Sequence, residues 1–174
     1  MMIKTGFAMS LLLAVPALVY GSGKAPVQTS LEDKVRGEIV RLPYYSIFDE
    51  LSFRVDGDKV TLFGEVTQYT LKRDAESAIK HIAGVGSFES HVEVLPLSTF
   101  DDNIRLRTYR AIYGYSALSP YAHGVLPSIH IIVKDGNVTL LGVVNSKMDR
   151  DMVYSRANGV FGSFSVTDNL QVQP

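Results

Sequence analysis

Val55-Asp56-Gly57-Asp58-Lys59-Val60-Thr61-Leu62-Phe63-Gly64-Glu65-Val66 is answered later in the chain by Val133-Lys134-Asp135-Gly136-Asn137-Val138-Thr139-Leu140-Leu141-Gly142-Val143-Val144, and this likeness decides the fold. Val60-Thr61-Leu62, Gly64 and Val66 return as Val138-Thr139-Leu140, Gly142 and Val144, so one unit is used twice. Before each turn, Leu51/Phe53/Val55 and Ile129/Ile131/Val133 place apolar residues with period two, the mark of a half-buried strand. An Asp-Gly turn closes each hairpin, and Val60/Leu62/Gly64/Val66 or Val138/Leu140/Gly142/Val144 continue as the second strand. Gly64 and Gly142 fall in the inward phase, where a missing side chain lets a helix or strand approach closely.

Working outward, Tyr69, Ala75, Ala78, Ile79, Ile82 and Ala83 form a helical stripe behind a cap at Thr67 or Thr70 and ahead of Gly84. Met148, Met152, Val153 and Ala157 do the same between Ser146 and Gly159, on a somewhat shorter helix. A third strand follows near Phe88 to Leu95 and near Val166 to Val172, each introduced by Gly-Ser-Phe, at Gly86 to Phe88 and Gly162 to Phe164. Another helix precedes each hairpin, from about Leu31 to Leu42 and from about Asp102 to Tyr113. The expected fold is α+β: two tandem α-β-β-α-β units over residues 31–96 and 101–173, each with two helices packed on one face of a small mixed three-stranded sheet. The second copy also carries an inserted loop, Gly114 to Pro127.

The order of elements, the string V-x-G-x-V-T-L-x-G-x-V around Gly57 and Gly64, its partner around Gly136 and Gly142, and the Gly-Val pairs at Gly84-Val85 and Gly159-Val160 resemble the BON domain. Two such units behind a signal segment resemble the dual-BON periplasmic proteins of Gram-negative bacteria. That resemblance implies phospholipid or membrane-surface binding, envelope integrity and osmotic-stress protection, without catalysis or cofactor.

Charge and composition bear on other classes. Lys plus Arg total 17 against 18 Asp plus Glu, so no basic field draws the chain to nucleic acid. Cysteine is absent, which removes disulfides, thiolate metal sites and a cysteine nucleophile. His81, His91, His123 and His130 fall on a helix, a strand, a loop and a strand, with no pair at metal-ligand spacing. No G-x-S-x-G elbow occurs, and Gly84 to Gly86 lacks the lysine of a phosphate-binding loop. Asp101 and Asp102 precede a helix, where carboxylates cap free N–H groups and complement the dipole. No catalytic residue and no metal site is therefore assigned.

The first helices of the two copies differ in their outer faces. Leu31, Val35, Ile39 and Leu42 make a core stripe that leaves Asp33, Arg36 and Val40 outside. In the second copy the stripe is Ile104, Thr108, Ala111 and Ile112, and the opposite face carries Leu106, Tyr109 and Tyr113, flanked by Arg105, Arg107 and Arg110. Tyrosine and arginine together suit a surface of anionic phospholipid, the ring at the headgroup boundary and the guanidinium on phosphate. The loop that follows is apolar, and two readings stand: Leu118, Tyr121 and Leu126 dip into headgroups or a partner groove, or they fold back over the helix. The candidate lipid- or partner-binding residues are thus Arg105, Leu106, Arg107, Tyr109, Arg110, Tyr113, Leu118 and Tyr121. The partner is an anionic membrane surface or, alternatively, a protein of an envelope complex.

At the N-terminus, Lys4 precedes the apolar run Phe7 to Val19, broken only by Ser10 and Pro16 and followed by Gly21, Ser22 and Gly23. That run falls short of the roughly 20 residues of a membrane span and reads as a signal peptide over 1–21, with a polar leader over 22–30; the rival reading is an uncleaved anchor. The expected localisation is periplasmic. Export should leave a mature chain beginning at Ser22, which N-terminal sequencing of the secreted form reads directly; a chain still starting at Met1 favours the anchor.

Overall fold

In the computed structural model the described residues are 30–123 and 127–173. The signal segment, the leader as far as residue 29, and Leu126 lie outside them. The order α1 (Leu31–Val40), β1 (Glu50–Asp56), β2 (Lys59–Val66), α2 (Tyr69–Lys80), β3 (Ser87–Val94) is repeated as α3 (Thr99–Tyr113), β4 (Ile129–Lys134), β5 (Asn137–Val144), α4 (Lys147–Asn158) and a last strand broken into β6 (Ser165–Asp168) and β7 (Gln171–Val172). Each hairpin is antiparallel, and each third strand pairs parallel to the second. The second helices of the two copies are equal at 12 residues, so the expected shortening of α4 does not occur. Among the described residues no helix is long and apolar enough to cross a membrane.

Two-residue loops fix the registers, pairing Val55 with Val60 and Val133 with Val138. The turns differ in chemistry, and the expected Asp-Gly turn holds only in the second copy: Asp56 belongs to β1, so the first loop is Gly57-Asp58. Asp135 and Gly136 both take positive φ, 51° and 76°, as a type I′ turn needs, whereas Gly57 does so at the first central position of its loop. Gly64 and Gly142 also hold positive φ, and a Cβ on either would overlap the carbonyl oxygen of Glu50 at the start of β1 or of Ser128 just ahead of β4. The close approach expected at these glycines is therefore between strands.

Inside the first copy, Val60, Leu62 and Val66 meet Val35 and Ile39 of α1 and Leu71, Ala75 and Ile79 of α2. In the second, Val138, Leu140 and Val144 meet Ile104 and Ile112 of α3 and Val153 and Ala157 of α4. Thr67 does not cap α2. It binds Asp49 through its backbone N–H (2.6 Å) and hydroxyl (2.8 Å), and Gln68 occupies the cap position without a side-chain bond.

The copies are joined by more than the short connection between them. Every residue of β4 from Ile129 to Val133 is buried, including His130 and Ile132 on the face away from the helices. Such a run reads as a strand covered on both faces. Residues of the first copy meet that outer face: Lys134 pairs with Glu93 of β3 at 2.6 Å, the His130 ring lies 5.8 Å from that of Tyr45 ahead of β1, and its Nδ1 donates to the Asp49 carbonyl at 2.5 Å. Ile132, between His130 and Lys134, is 2% exposed. Ahead of β1, Ile47 enters the second copy's core, and its carbonyl accepts the Ile131 N–H at 2.7 Å.

Glu50 sits in this seam, 3.7 Å from His130, and burial raises its pKa above the ordinary carboxylate value, an effect His130 opposes. An acid whose pKa is higher in the folded chain binds its proton more tightly there, so it favours folding at low pH and loses that contribution as pH rises from the unfolded value through the folded one. Glu50→Gln should therefore raise the melting temperature at pH 8, with the gain shrinking as pH falls through the carboxylate range. An equal melting temperature for both chains at every pH rules out this account of the seam.

Candidate functional site

Helix α3 starts at Ser98, whose hydroxyl accepts the Asp101 N–H at 3.1 Å, so the cap is Ser98 rather than either aspartate. Asp101 turns inward instead. Its carboxylate, 1% exposed, accepts the N–H groups of Asp135 and Gly136 at 3.1 and 2.8 Å and clamps the β4–β5 turn to the helix. Asp102 pairs with Arg105.

Four of the eight predicted site residues lie inside: Arg105 and Tyr113 against their expected exposure, Leu118 and Tyr121 through the fold-back that was one of the two readings of the loop. β4 is an edge strand, and an open edge carries unpaired N–H and C=O groups that must be closed. Arg105 donates to the Val133 carbonyl at 2.7 Å, and the Tyr113 hydroxyl donates to the Ile129 carbonyl at 2.6 Å. Burial pushes the Tyr113 phenol well above its ordinary pKa. Leu118, in a 3-10 turn over Ser116–Ala122, is fully buried. Tyr121 accepts the Asn145 N–H and donates to Asp149, both at 2.8 Å. The described part of the inserted loop thus folds back over its own domain.

Leu106, Arg107, Tyr109 and Arg110 remain at the surface. At 3.6 residues per turn, Arg107 and Arg110 occupy the crest of the outward arc, with Leu106 and Tyr109 on one shoulder and Phe100 on the other. Tyr109 borders a groove of about 360 Å3 between α3 and the Tyr45–Phe48 segment, where Phe48 meets its ring edge-on at 6.4 Å. On the opposite shoulder the structure adds residues that the sequence reading left out. Phe164 lies 5.7 Å from Phe100, and Arg107 donates to the Phe161 carbonyl at 3.0 Å with its guanidinium 6.0 Å from that ring. Phe161 and Phe164 are 86% and 74% exposed. The repeated Gly-Ser-Phe was the available signal. In the first copy the matching Phe88 packs against its core, whereas here Phe100 and the side-chain-free Gly136 prop Phe164 outward.

Among the described residues no three His, Asp or Glu side chains gather where a metal would need them. His81 Nδ1 bonds the Ser77 carbonyl, His91 stacks on Phe63 beside Glu89, and His130 belongs to the seam. The arrangement offers contact surface: cationic, aromatic and open.

A small α+β binding module used twice is the class that fold and surface define. The family model described as BON domain matches residues 28–96 and 119–174, and the chain belongs to the BON domain family, a family of non-catalytic binding domains associated with periplasmic envelope proteins. No curated protein sequence matches the chain. Among solved structures it is similar, at 13% identity and a TM-score of 0.31, to CdsD, a structural protein of the type III secretion system of Chlamydia trachomatis, over 83% of this chain and 92% of that one. A structure of the CdsD C-terminal domain matches at 13% identity and a TM-score of 0.31, over 84% of this chain and 99% of that one.

Arg105→Met keeps the aliphatic stem and leaves the Val133 carbonyl unpaired, a loss of about 1–3 kcal/mol for a buried acceptor. Urea denaturation should show that loss. No change in midpoint denies Arg105 its part in closing the β4 edge.

Proposed function

We propose that this is a non-enzymatic exported protein of the cell envelope that docks on anionic phospholipid through the outer face of α3, and so supports envelope integrity or osmotic-stress tolerance. The observation that carries the reading is the pairing on one face of two exposed arginines with exposed aromatic rings, Phe161 and Phe164 above all. A soluble domain leaves such rings in water at a cost; at a membrane interface they enter the headgroup boundary while the guanidinium groups meet phosphate.

Magnitudes set the character of the contact. Each cation near an anionic leaflet contributes about 1 kcal/mol, so Arg107 and Arg110 together give about 2 kcal/mol, roughly thirty-fold in affinity. Alone they do not anchor the protein. The rings supply the remainder, giving a reversible attachment that weakens with salt as the Debye length falls from about 10 Å at 0.1 M to about 3 Å at 1 M.

Flotation with vesicles rich in phosphatidylglycerol or cardiolipin tests this directly. Arg107→Glu with Arg110→Glu should weaken binding at least thirty-fold, the factor set by the two cation terms. Phe161→Ser with Phe164→Ser should remove the part of binding that survives high salt. Wild-type flotation by both double variants, or no flotation of the parent at low salt, defeats the proposal. A protein partner lost on Tyr109→Ala, with vesicles ignored throughout, would favour the protein-interaction alternative.

A further inference from the structure

β1 is the edge strand of the first sheet, as β4 is of the second, and the repeat allows the two edges to be compared residue by residue. Two-residue hairpins make Asp56–Lys59 and Lys134–Asn137 the first hydrogen-bonded pairs, so alternate residues, Phe53 and Val55 or Ile131 and Val133, point their N–H and C=O groups away from the partner strand. On β4 these outward groups are used: Ile47 accepts from Ile131, and Arg105 donates to Val133. The closure is shared: Arg105 and Tyr113 reach the Val133 and Ile129 carbonyls from α3 itself, and the Ile47 segment takes the Ile131 N–H between them.

The first copy lacks this closure. Matching Val35 to Thr108 and Ile39 to Ile112 puts Glu32 where Arg105 stands and Val40 where Tyr113 stands; neither side chain donates to a carbonyl at neutral pH. Tyr45 reaches the Leu51 N–H at 3.4 Å, but no described residue outside the sheet bonds the backbone of Phe53 or Val55. Between α1 and this edge lies a groove of about 560 Å3, bounded by Glu32, Arg36 and the strand from Glu50 to Val55. Its counterpart in the second copy is the place that Ile47 and Phe48 fill.

We infer that the α1–β1 groove is a docking site for an extended peptide segment of the kind already seated on β4: an aliphatic residue followed by an aromatic, as in Ile47-Phe48. Its main chain adds a strand to β1 through Phe53 and Val55, the aliphatic side chain enters between helix and strand, and the aromatic ring lies on Arg36. Arg36 stands where Tyr109 holds Phe48, and it already lies 5.7 Å from the Phe53 ring. The site is independent of the lipid face on α3.

The test titrates the isotope-labelled chain from Ser22 onward with the synthetic peptide Tyr45–Asp49, followed by amide NMR and hydrogen exchange. Perturbations should centre on Phe53, Val55 and Arg36, with Phe53 amide exchange slowed at least tenfold at saturation. Replacing the peptide's isoleucine by aspartate should weaken binding at least tenfold, a control that needs no protein variant. Val55→Pro removes an outward donor, which an edge strand tolerates, and should weaken binding similarly. Three results each overturn the inference: no perturbation at millimolar peptide, perturbations confined to β4 and the seam, or equal binding of the aspartate peptide.

Discussion

The hydrogen bond from the Ile131 N–H to the Ile47 carbonyl, with the Ile47 side chain buried beside it, is the contact on which the rest of this molecule depends. A strand at the end of a sheet must have its outer groups closed, and here a segment from the neighbouring repeat helps to close them. Because that segment runs straight into β1, the placement of one sheet is set by the edge of the other. His130 and Lys134 then meet Tyr45, Asp49 and Glu93 of the first copy, and the two cores stay separate clusters joined along this seam.

That union decides what α3 can present. Its side toward β4 is spent on structure, Arg105 and Tyr113 serving backbone carbonyls and Asp101 holding the hairpin turn. What remains is a crest of two arginines between two apolar shoulders, one shared with the seam groove and one built from phenylalanines near the hairpin tip. A cationic ridge with greasy margins suits a broad anionic surface better than a small molecule. The family's binding role and this surface agree in kind.

Duplication also exposes divergence. The same register and inward glycines serve both copies, yet the side chains that close the edge are present in one and replaced by Glu32 and Val40 in the other. A groove filled in the second repeat stands open in the first. Repeats that share a core but differ at their edges give one chain two distinct surfaces.

The sequence by itself determined the doubled α-β-β-α-β order, the inward glycines and most of the helix stripes, because these depend on residues close in the chain and on periods of two and 3.6; Tyr69 and Met148 of those stripes stand exposed, Leu71 takes the inner face of α2, and the first hairpin turns on Gly57-Asp58. It also placed Leu106, Arg107, Tyr109 and Arg110 on the outer face of α3. Only the tertiary structure decided that Arg105, Tyr113, Leu118 and Tyr121 turn inward, that Phe161 and Phe164 turn outward, and that Ile47 belongs to the core of the other repeat. Those outcomes rest on partners far off in sequence. An arginine or tyrosine at the border of a helix face pairs with whatever carbonyl the folded chain brings to it, and local periodicity carries no information about that carbonyl's position.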